Sequence, residues 1–425
     1  MAGVAQQVNP PRGMRDFLPA EKARRERVLS AIRSVYSAHG FEEIETPVME
    51  DSSRLHAGLG GDNEKLAFGV MRRGITAEQL AAATDPLDLV DLGLRFDLTV
   101  PLARFYATHR AELPTVFRAI QMASVWRAER PQKGRYRQFV QCDIDVIGEA
   151  GPLAEIELIT ATAATLTELG LEGWTIRVND RRLLIGMLEA FGIAADDHDS
   201  ALVTVDKLDK VGQDGVIAEL REKGLPADAL EEFFRRPTTM EYQRFGEAAI
   251  RKALPEGADE AVIAELAAIG APVIEAYGDV VRFDPFLVRG MGYYTGTIFE
   301  ISHPSSAGSL GGGGRYDGMI GRFLGTEVPA AGFSIGFERI VDLVEQGEVD
   351  AAASVALVYE PEVPAATLMR LKLDLVAEGR RVRIERAQKN LKALYEQLAA
   401  AGFGSVATVT AATAGVTDLV FRQLG

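Results

Sequence analysis

The sequence is poor in the residues that anchor disulfides and metals. Its 425 residues include one cysteine, Cys142, and five scattered histidines: His39, His56, His109, His198 and His303. A single thiol excludes a disulfide framework and a cysteine-based zinc site. Scattered histidines argue against a multi-histidine metal centre. No apolar run approaches the roughly 18 residues that span a bilayer. The first residues, MAGVAQQVNPPRGMRDF, lack the basic-then-apolar order of a secretory signal. A cytoplasmic location away from membranes is expected. There is no internal repeat and no low-complexity tract. Basic residues are outnumbered, 46 Lys+Arg against 61 Asp+Glu, for a net charge of -15. That balance excludes indiscriminate nucleic-acid binding. The deficit is uneven: residues 354–425 hold nine basic and seven acidic side chains, net +2, so the rest carries -17. An acidic body with a mildly basic tail fits nucleic acid touched at selected places.

What is present reads as a globular chain of two or three domains. Charged residues are 25% and hydrophobic residues 47%, neither disordered nor fibrous in balance, and domains average roughly 150 residues. Residues 20–39 predict an amphipathic helix, with Val28, Ile32, Val35 and Tyr36 on one face and Gly40 as its stop. FEEIETPVM (41–49) follows as a strand ending near Pro47. Residues 116–148 read as strand, basic loop, strand, and 154–170 as a helix. WTIRVND (174–180) predicts a strand, and an acidic, mostly helical stretch runs on to about 275. Strand chemistry returns over 280–302. GSLGGGGRYDGMI (308–320) reads as a glycine loop entering a helix or strand, and AAGFSIGFERIVDLVEQG (330–347) as a small-residue strand entering a helix. VDAAAS (349–354) is a linker candidate. Beyond it strands and helices alternate, which predicts a small α/β unit with a largely parallel sheet.

Five segments carry chemistry. RAERPQKGRYR (127–137) places five cations in eleven residues; guanidinium forks of this kind bind phosphate oxygens, although a solvated hairpin tip has the same composition. Gly311–Gly314 followed by RYDG lets backbone approach a ligand, or simply turns. In LVRGMGYYTG (287–296) an arginine and two tyrosines interrupt an apolar strand pattern, and alternation places Tyr293 and Tyr294 on opposite faces. An arginine there needs an anionic partner or a cleft, and on this segment alone a structural salt bridge is the simpler reading. GFSIGFER (332–339) is a flat strand closing on Glu338 and Arg339, suited to floor a nucleotide pocket. In LRFDLTVP (94–101), Asp97 and Thr99 share a strand face and together can hold an ammonium group.

In this order the segments are specific. The chain resembles the class II aminoacyl-tRNA synthetases and, within them, the histidyl-tRNA synthetases, over nearly its whole length. The helix and strand reaching Glu45, Thr46 and Pro47 resemble class motif 1. Arg127 and Glu129, the loop, then Arg135 and Phe139 resemble motif 2. Residues 332–339 resemble motif 3. RGMGYY (289–294) and GGRYDG (313–318) resemble the two histidine-specific signatures. The implied fold is an α+β catalytic domain on an antiparallel sheet with a helical insertion and a C-terminal α/β domain of the anticodon-binding kind. The corresponding boundaries are 1–174 and 281–348 for the catalytic parts, 175–280 for the insertion and 352–425 for the tail. The implied activity joins histidine and ATP into histidyl-adenylate, releases pyrophosphate, and transfers histidine to tRNA(His), in a homodimer.

The resemblance also implies roles. Arg127 clamps the α-phosphate, Glu129 and Arg135 serve ATP, and Phe139 and Arg339 sandwich adenine. Arg289 stabilises charge at the reacting groups. Asp97 and Thr99 hold the α-amino group, with Gln141 nearby. Asp145, Tyr294 and Tyr316 read the imidazole, beside Tyr293. Arg130 and Gln132 meet the tRNA acceptor end. Mg2+ is expected with ATP, its ligands unassigned. Position 292 is glycine where aspartate is commoner, and Asp97 and Asp145 stand where many bacterial members have glutamate. The tail lacks a terminal helix often present in the family, so weaker anticodon contact is expected. The alternative is a histidine-binding paralogue without aminoacylation, such as the regulatory subunit of ATP phosphoribosyltransferase. Intact Arg127, Arg289 and Arg339 favour the synthetase.

Overall fold

The computed structural model describes residues 8–57, 65–132, 134–235, 245–289, 293–306, 308–345 and 354–424. The chain divides into two compact units, residues 1–16 with 27–344, and residues 17–26 with 345–425.

The larger unit is built on eleven strands: β1 (Glu42–Glu43), β2 (Met49–Asp51), β3 (Phe68–Met71), β4 (Val90–Leu94), β5 (Phe117–Trp126), β6 (Gln138–Ile147), β7 (Thr175–Asp180), β8 (Val281–Phe283), β9 (Thr297–Ser302), β10 (Gly311–Arg315) and β11 (Ala330–Gly336). Eight of them form one sheet in the order β1-β5-β6-β11-β10-β9-β7-β8. The interior pairs are antiparallel; only the edge pairs β1–β5 and β7–β8 are parallel. β2, β4 and β3 form a small separate sheet.

One face of the large sheet is sealed by helices. Along β6 the alternation sends Cys142, Ile144 and Val146 into a core with Leu158, Ile159 and Leu166 of the helix Leu153–Glu168. Val28, Ile32 and Tyr36 of the helix Pro19–Ala38 join the same core at four-residue intervals. Each such side chain contributes about 1.5–3 kcal/mol when removed from water. That burial lets the opposite face carry charge. A bidentate pair from Arg315 to Glu155, at 2.6 and 2.7 Å, ties β10 to the helix Leu153–Glu168. Between β7 and β8 the described chain is helical, from Arg181–Ala190 to Glu260–Tyr277.

Four local expectations are corrected. FEEIETPVM is not one strand: β1 ends at Glu43 and β2 begins at Met49. Pro47 lies in the gap, where its missing N–H suits the passage from one sheet to the next. The glycine run is not a loop but the interior strand β10, paired on both sides. The reason is space: a Cβ on Gly313 would stand 1.9 Å from the Gly332 carbonyl oxygen. Residues 284–289 and 293–296 are not strand. Asp284 ends β8 by accepting the amide of Phe286 through its side chain at 3.0 Å, an Asx turn. Asp97 and Thr99 do not share a strand either, because β4 stops at Leu94; the Asp97 carboxylate accepts the Val100 amide in the first turn of the helix Thr99–His109.

The smaller unit contains β12 (Ser354–Tyr359), β13 (Arg381–Arg386), β14 (Ser405–Val409) and β15 (Phe421–Gln423), in the order β13-β12-β14-β15. The pairs are parallel except β14–β15. Alternation along β12 feeds two cores. Val355 and Leu357 meet Leu371 and Leu375 of the helix Ala365–Ala377, whereas Ala356 and Val358 meet Leu394 and Leu398 of the helix Leu391–Ala400. Most of the linker candidate 349–354 lies outside the described residues.

Candidate active site

The uncovered face of the large sheet floors a cavity of about 690 Å³. Its lining brings acidic and basic side chains together. Among them Asp97, Asp143 and Asp145 are 8%, 4% and 3% exposed. β6 supplies two of them, because residues two apart share a face. Gly332 on the neighbouring β11 makes the room: a Cβ there would lie 2.0 Å from the Asp145 Oδ1. The Tyr316 hydroxyl donates to that oxygen at 2.6 Å. Burial pushes the Asp145 carboxyl up to about 7, against the Tyr316 hydrogen bond and with the Asp97 charge adding to it. Burial and the neighbouring Asp145 raise Asp143 well above the carboxylate range. Burial does the same to the Tyr316 hydroxyl, with Asp145 adding.

Tyr293 and Tyr294 line this same cavity, their rings 4.3 Å apart. Opposite faces, expected from strand alternation, do not arise because the segment is not strand. Thr99 and Gln141 also border the cavity. The Gln141 amide donates to Ser334 Oγ at 3.1 Å and to Asp143 at 3.3 Å.

Arginines line the same cavity. Arg127 is anchored by its Nε to the Phe96 carbonyl at 2.9 Å and lies over the Phe139 ring at 5.1 Å. Arg135 faces Glu129 at 3.7 Å. Arg339 donates to the Ser309 carbonyl. Burial, then the charges of Arg135 and Arg289, lower its pKa, which marks three guanidiniums crowded around one space. All of these arginines, with Glu129 and Phe139, line the cavity. A site that joins buried acidic side chains with clustered guanidiniums suits a substrate carrying an ammonium group beside a polyphosphate.

A family model described as Histidyl-tRNA synthetase matches residues 13–340. The chain is 60% identical to the histidine–tRNA ligase of Leifsonia xyli subsp. xyli (strain CTCB07), over 97% of this chain and 98% of that protein. The chain belongs to the histidyl-tRNA synthetase family. It is also 44% identical to the probable histidine–tRNA ligase of Tropheryma whipplei (strain Twist), over 93% of this chain and 94% of that protein. The fold is that of the crystal structure of histidyl-tRNA synthetase from Nostoc sp. PCC 7120, with a TM-score of 0.76, 24% identity, and coverage of 99% of this chain and 95% of that one.

Within this family site, two of the expected residues stand apart. Arg130 and Gln132 do not line the cavity. They belong to the connection between β5 and β6, where Gln132 and Arg135 exchange backbone hydrogen bonds of 3.2 and 2.9 Å. Gly292 lies outside the described residues. Reading the sequence missed Asp143, although QCDID (141–145) alternates and places Asp143 beside Gln141 and Asp145. It also missed Arg177 and Glu300, which line the arginine side. They come from β7 and β9, paired as Arg177 opposite Glu300, and no local motif announces that register.

Proposed function

We propose that this cavity takes histidine at its carboxylate end and ATP at its arginine end, and carries out the family's two-step ligation of histidine to tRNA. A histidine carboxylate oxygen attacks the α-phosphorus, the bond to the pyrophosphate oxygen breaks, and pyrophosphate leaves. A hydroxyl of the tRNA 3′-terminal ribose then attacks the histidyl carbonyl and AMP leaves. The observation that carries the reading is a single cavity lined both by the buried Asp97, Asp143, Asp145 and Tyr316 and by Arg127, Arg135, Arg289 and Arg339. Neither step needs a protein nucleophile; positioning and cationic stabilisation supply the catalysis.

In this reading Asp97 and Thr99, with Gln141, receive the α-ammonium. Asp145 and Tyr316 read the imidazole beside Tyr293 and Tyr294, one offering an acceptor and the others hydroxyls. Such polar pairing rejects other amino acids strongly, about 10⁴-fold or more. Arg127 and Arg289 are the catalytic cations at the α-phosphate. Glu129 and Arg135 orient ATP, and adenine stacks between Phe139 and Arg339. Among the described residues no three acidic, histidine or cysteine side chains gather to hold a metal. A magnesium ion entering with ATP keeps phosphate and water ligands and needs only one or two carboxylates; Glu129 fits that requirement.

The catalytic parts are read as 1–174 and 281–348, the insertion as 175–280, and the basic tail 352–425 as the part that meets the anticodon. Arg130 and Gln132 serve the acceptor end. A homodimer and a cytoplasmic location belong to the same reading. The 60% identical relative named as a ligase favours it over a regulatory subunit without aminoacylation. The test is ATP–pyrophosphate exchange against all twenty amino acids. Exchange with histidine alone is expected, lost in Arg289→Ala. Exchange with another amino acid, or undiminished exchange in that variant, contradicts the assignment.

A further inference from the structure

Arg289 is held in a way that its chemistry alone does not require. Its Nη1 donates to Glu300 and, at 3.1 Å, to Ser309 Oγ. Its guanidinium makes no other hydrogen bond among the described residues, which leaves Nε and Nη2 for a ligand. The floor beneath it is glycine: a Cβ on Gly312 would stand 2.6 Å from Arg289 Cζ. Glu300, with its side chain 13% exposed, has a second guanidinium on its other oxygen, that of Arg177. Arg177 in turn reaches Asp284 at 2.9 Å and Asp209 at 3.2 Å. Asp209 lies in the helix Leu208–Glu222 of the segment between β7 and β8. The order along the cavity wall is therefore Arg289, Glu300, Arg177, then Asp284 and Asp209.

We propose that Glu300 and Arg177 are positioning residues for Arg289, the carboxylate fixing one arm of the guanidinium over Gly312 so that its remaining N–H groups face the reacting phosphate, and Arg177 holding that carboxylate in place. This rests on the assignment of Arg289 to the phosphate end. A carboxylate bridging two guanidiniums remains charged despite its burial. Burial opposes that charge, yet Arg289 and Arg177 together hold the Glu300 carboxyl below its usual value. A fixed anion on one arm defines the plane of the fork. With Glu300 tethered on its far side, Arg289 also meets the substrate without having to abandon an isolated buried charge. In this proposal the tether acts through Arg289, so its loss should act on the rate more than on binding.

The experiment measures histidine-dependent ATP–pyrophosphate exchange for the full chain as wild type, Glu300→Gln, Arg177→Met, Arg177→Lys and the double variant Glu300→Gln/Arg177→Met. Misplacement of a catalytic group by an ångström costs about 10²-fold. A kcat lowered by about 10- to 100-fold in the first two single variants is expected, with KM for histidine held within about threefold. Arg177→Lys should recover part of the loss. The double variant should be no slower than Glu300→Gln, since Arg177 acts through Glu300. Unchanged kcat, or losses that multiply in the double variant, overturns the proposal. Melting temperatures accompany the kinetics. If Arg177→Met or Glu300→Gln fails to fold, Glu300→Asp decides: a shorter tether that keeps the charge should lower kcat alone, and wild-type kcat there overturns the positioning role. Wild-type protein without histidine-dependent exchange would overturn the reading of the cavity itself, a result distinct from variants that match an active wild type.

Discussion

Asp145 illustrates how one side chain makes the molecule depend on pH. Its folded-state carboxyl is raised from 3.8 to about 7, chiefly by burial. Between those values the unfolded chain has released this proton and the folded chain still holds it. The folded state therefore binds more protons in that window, and stability falls as pH rises through it. In urea unfolding without ligands, wild type is expected to lose more stability between about pH 4 and 7 than Asp145→Asn, whose side chain does not titrate. Asp143 is raised as well and acts in the same direction, so the test is the difference in slope between the two proteins. Equal slopes in the two proteins would show that Asp145 ionises normally.

At the scale of elements, the site depends on strands rich in glycine and other small residues. β10 and β11 pair from Gly311 with Ile335 to Arg315 with Ala331. Their glycines give way to neighbours above: Gly312 to Arg289, and Gly332 to Asp145. Gly332→Ala would place a methyl group 2.0 Å from the Asp145 carboxylate and 3.2 Å from the Tyr316 ring. Overpacking of this kind costs about 1–3 kcal/mol. Because the pressure falls on the carboxylate end, KM for histidine should rise about tenfold or more while KM for ATP stays near wild type. Steady-state exchange with each substrate varied separately checks this. Equal changes in both constants would mean that the whole sheet has shifted. Glycine in this sheet is thus a matter of clearance, since none of the β10 or β11 glycines has a positive φ.

At the scale of the whole molecule, residues 354–425 carry net +2 and the rest -17. Each of the two compact units has hydrophobic clusters of its own, those of the smaller unit built from β12 and its two flanking helices. Truncation of the chain after residue 345 is expected to preserve histidine-dependent exchange and to reduce tRNA charging severely. Charging assays beside exchange on the same preparation check this, and undiminished charging would remove the tail from tRNA binding. Affinity of the full chain for tRNA should fall with added salt, as phosphate contacts require. Among the described residues no helix is long and apolar enough to cross a membrane.

Much of this could be read from the sequence because it depends on local pattern. Helical spacing of Val28, Ile32 and Tyr36, the alternation of β5 and β6, and the alternating tail all follow from residue periodicity, which is a property of the chain itself. The cavity residues were legible for a different reason: Arg127, Phe139, Arg289 and Arg339 sit in motifs whose order is distinctive. Three features needed the folded molecule. A run of glycines has no side-chain pattern, so only its neighbours on β9 and β11 reveal β10 as an interior strand. Tyr293 and Tyr294 line one cavity because residues 293–296 are not strand, so alternation does not govern them. The tether from Arg289 through Glu300 to Arg177 joins residues far apart in the chain. Periodicity determines which face a residue occupies, whereas only the register between strands decides which charge stands opposite it.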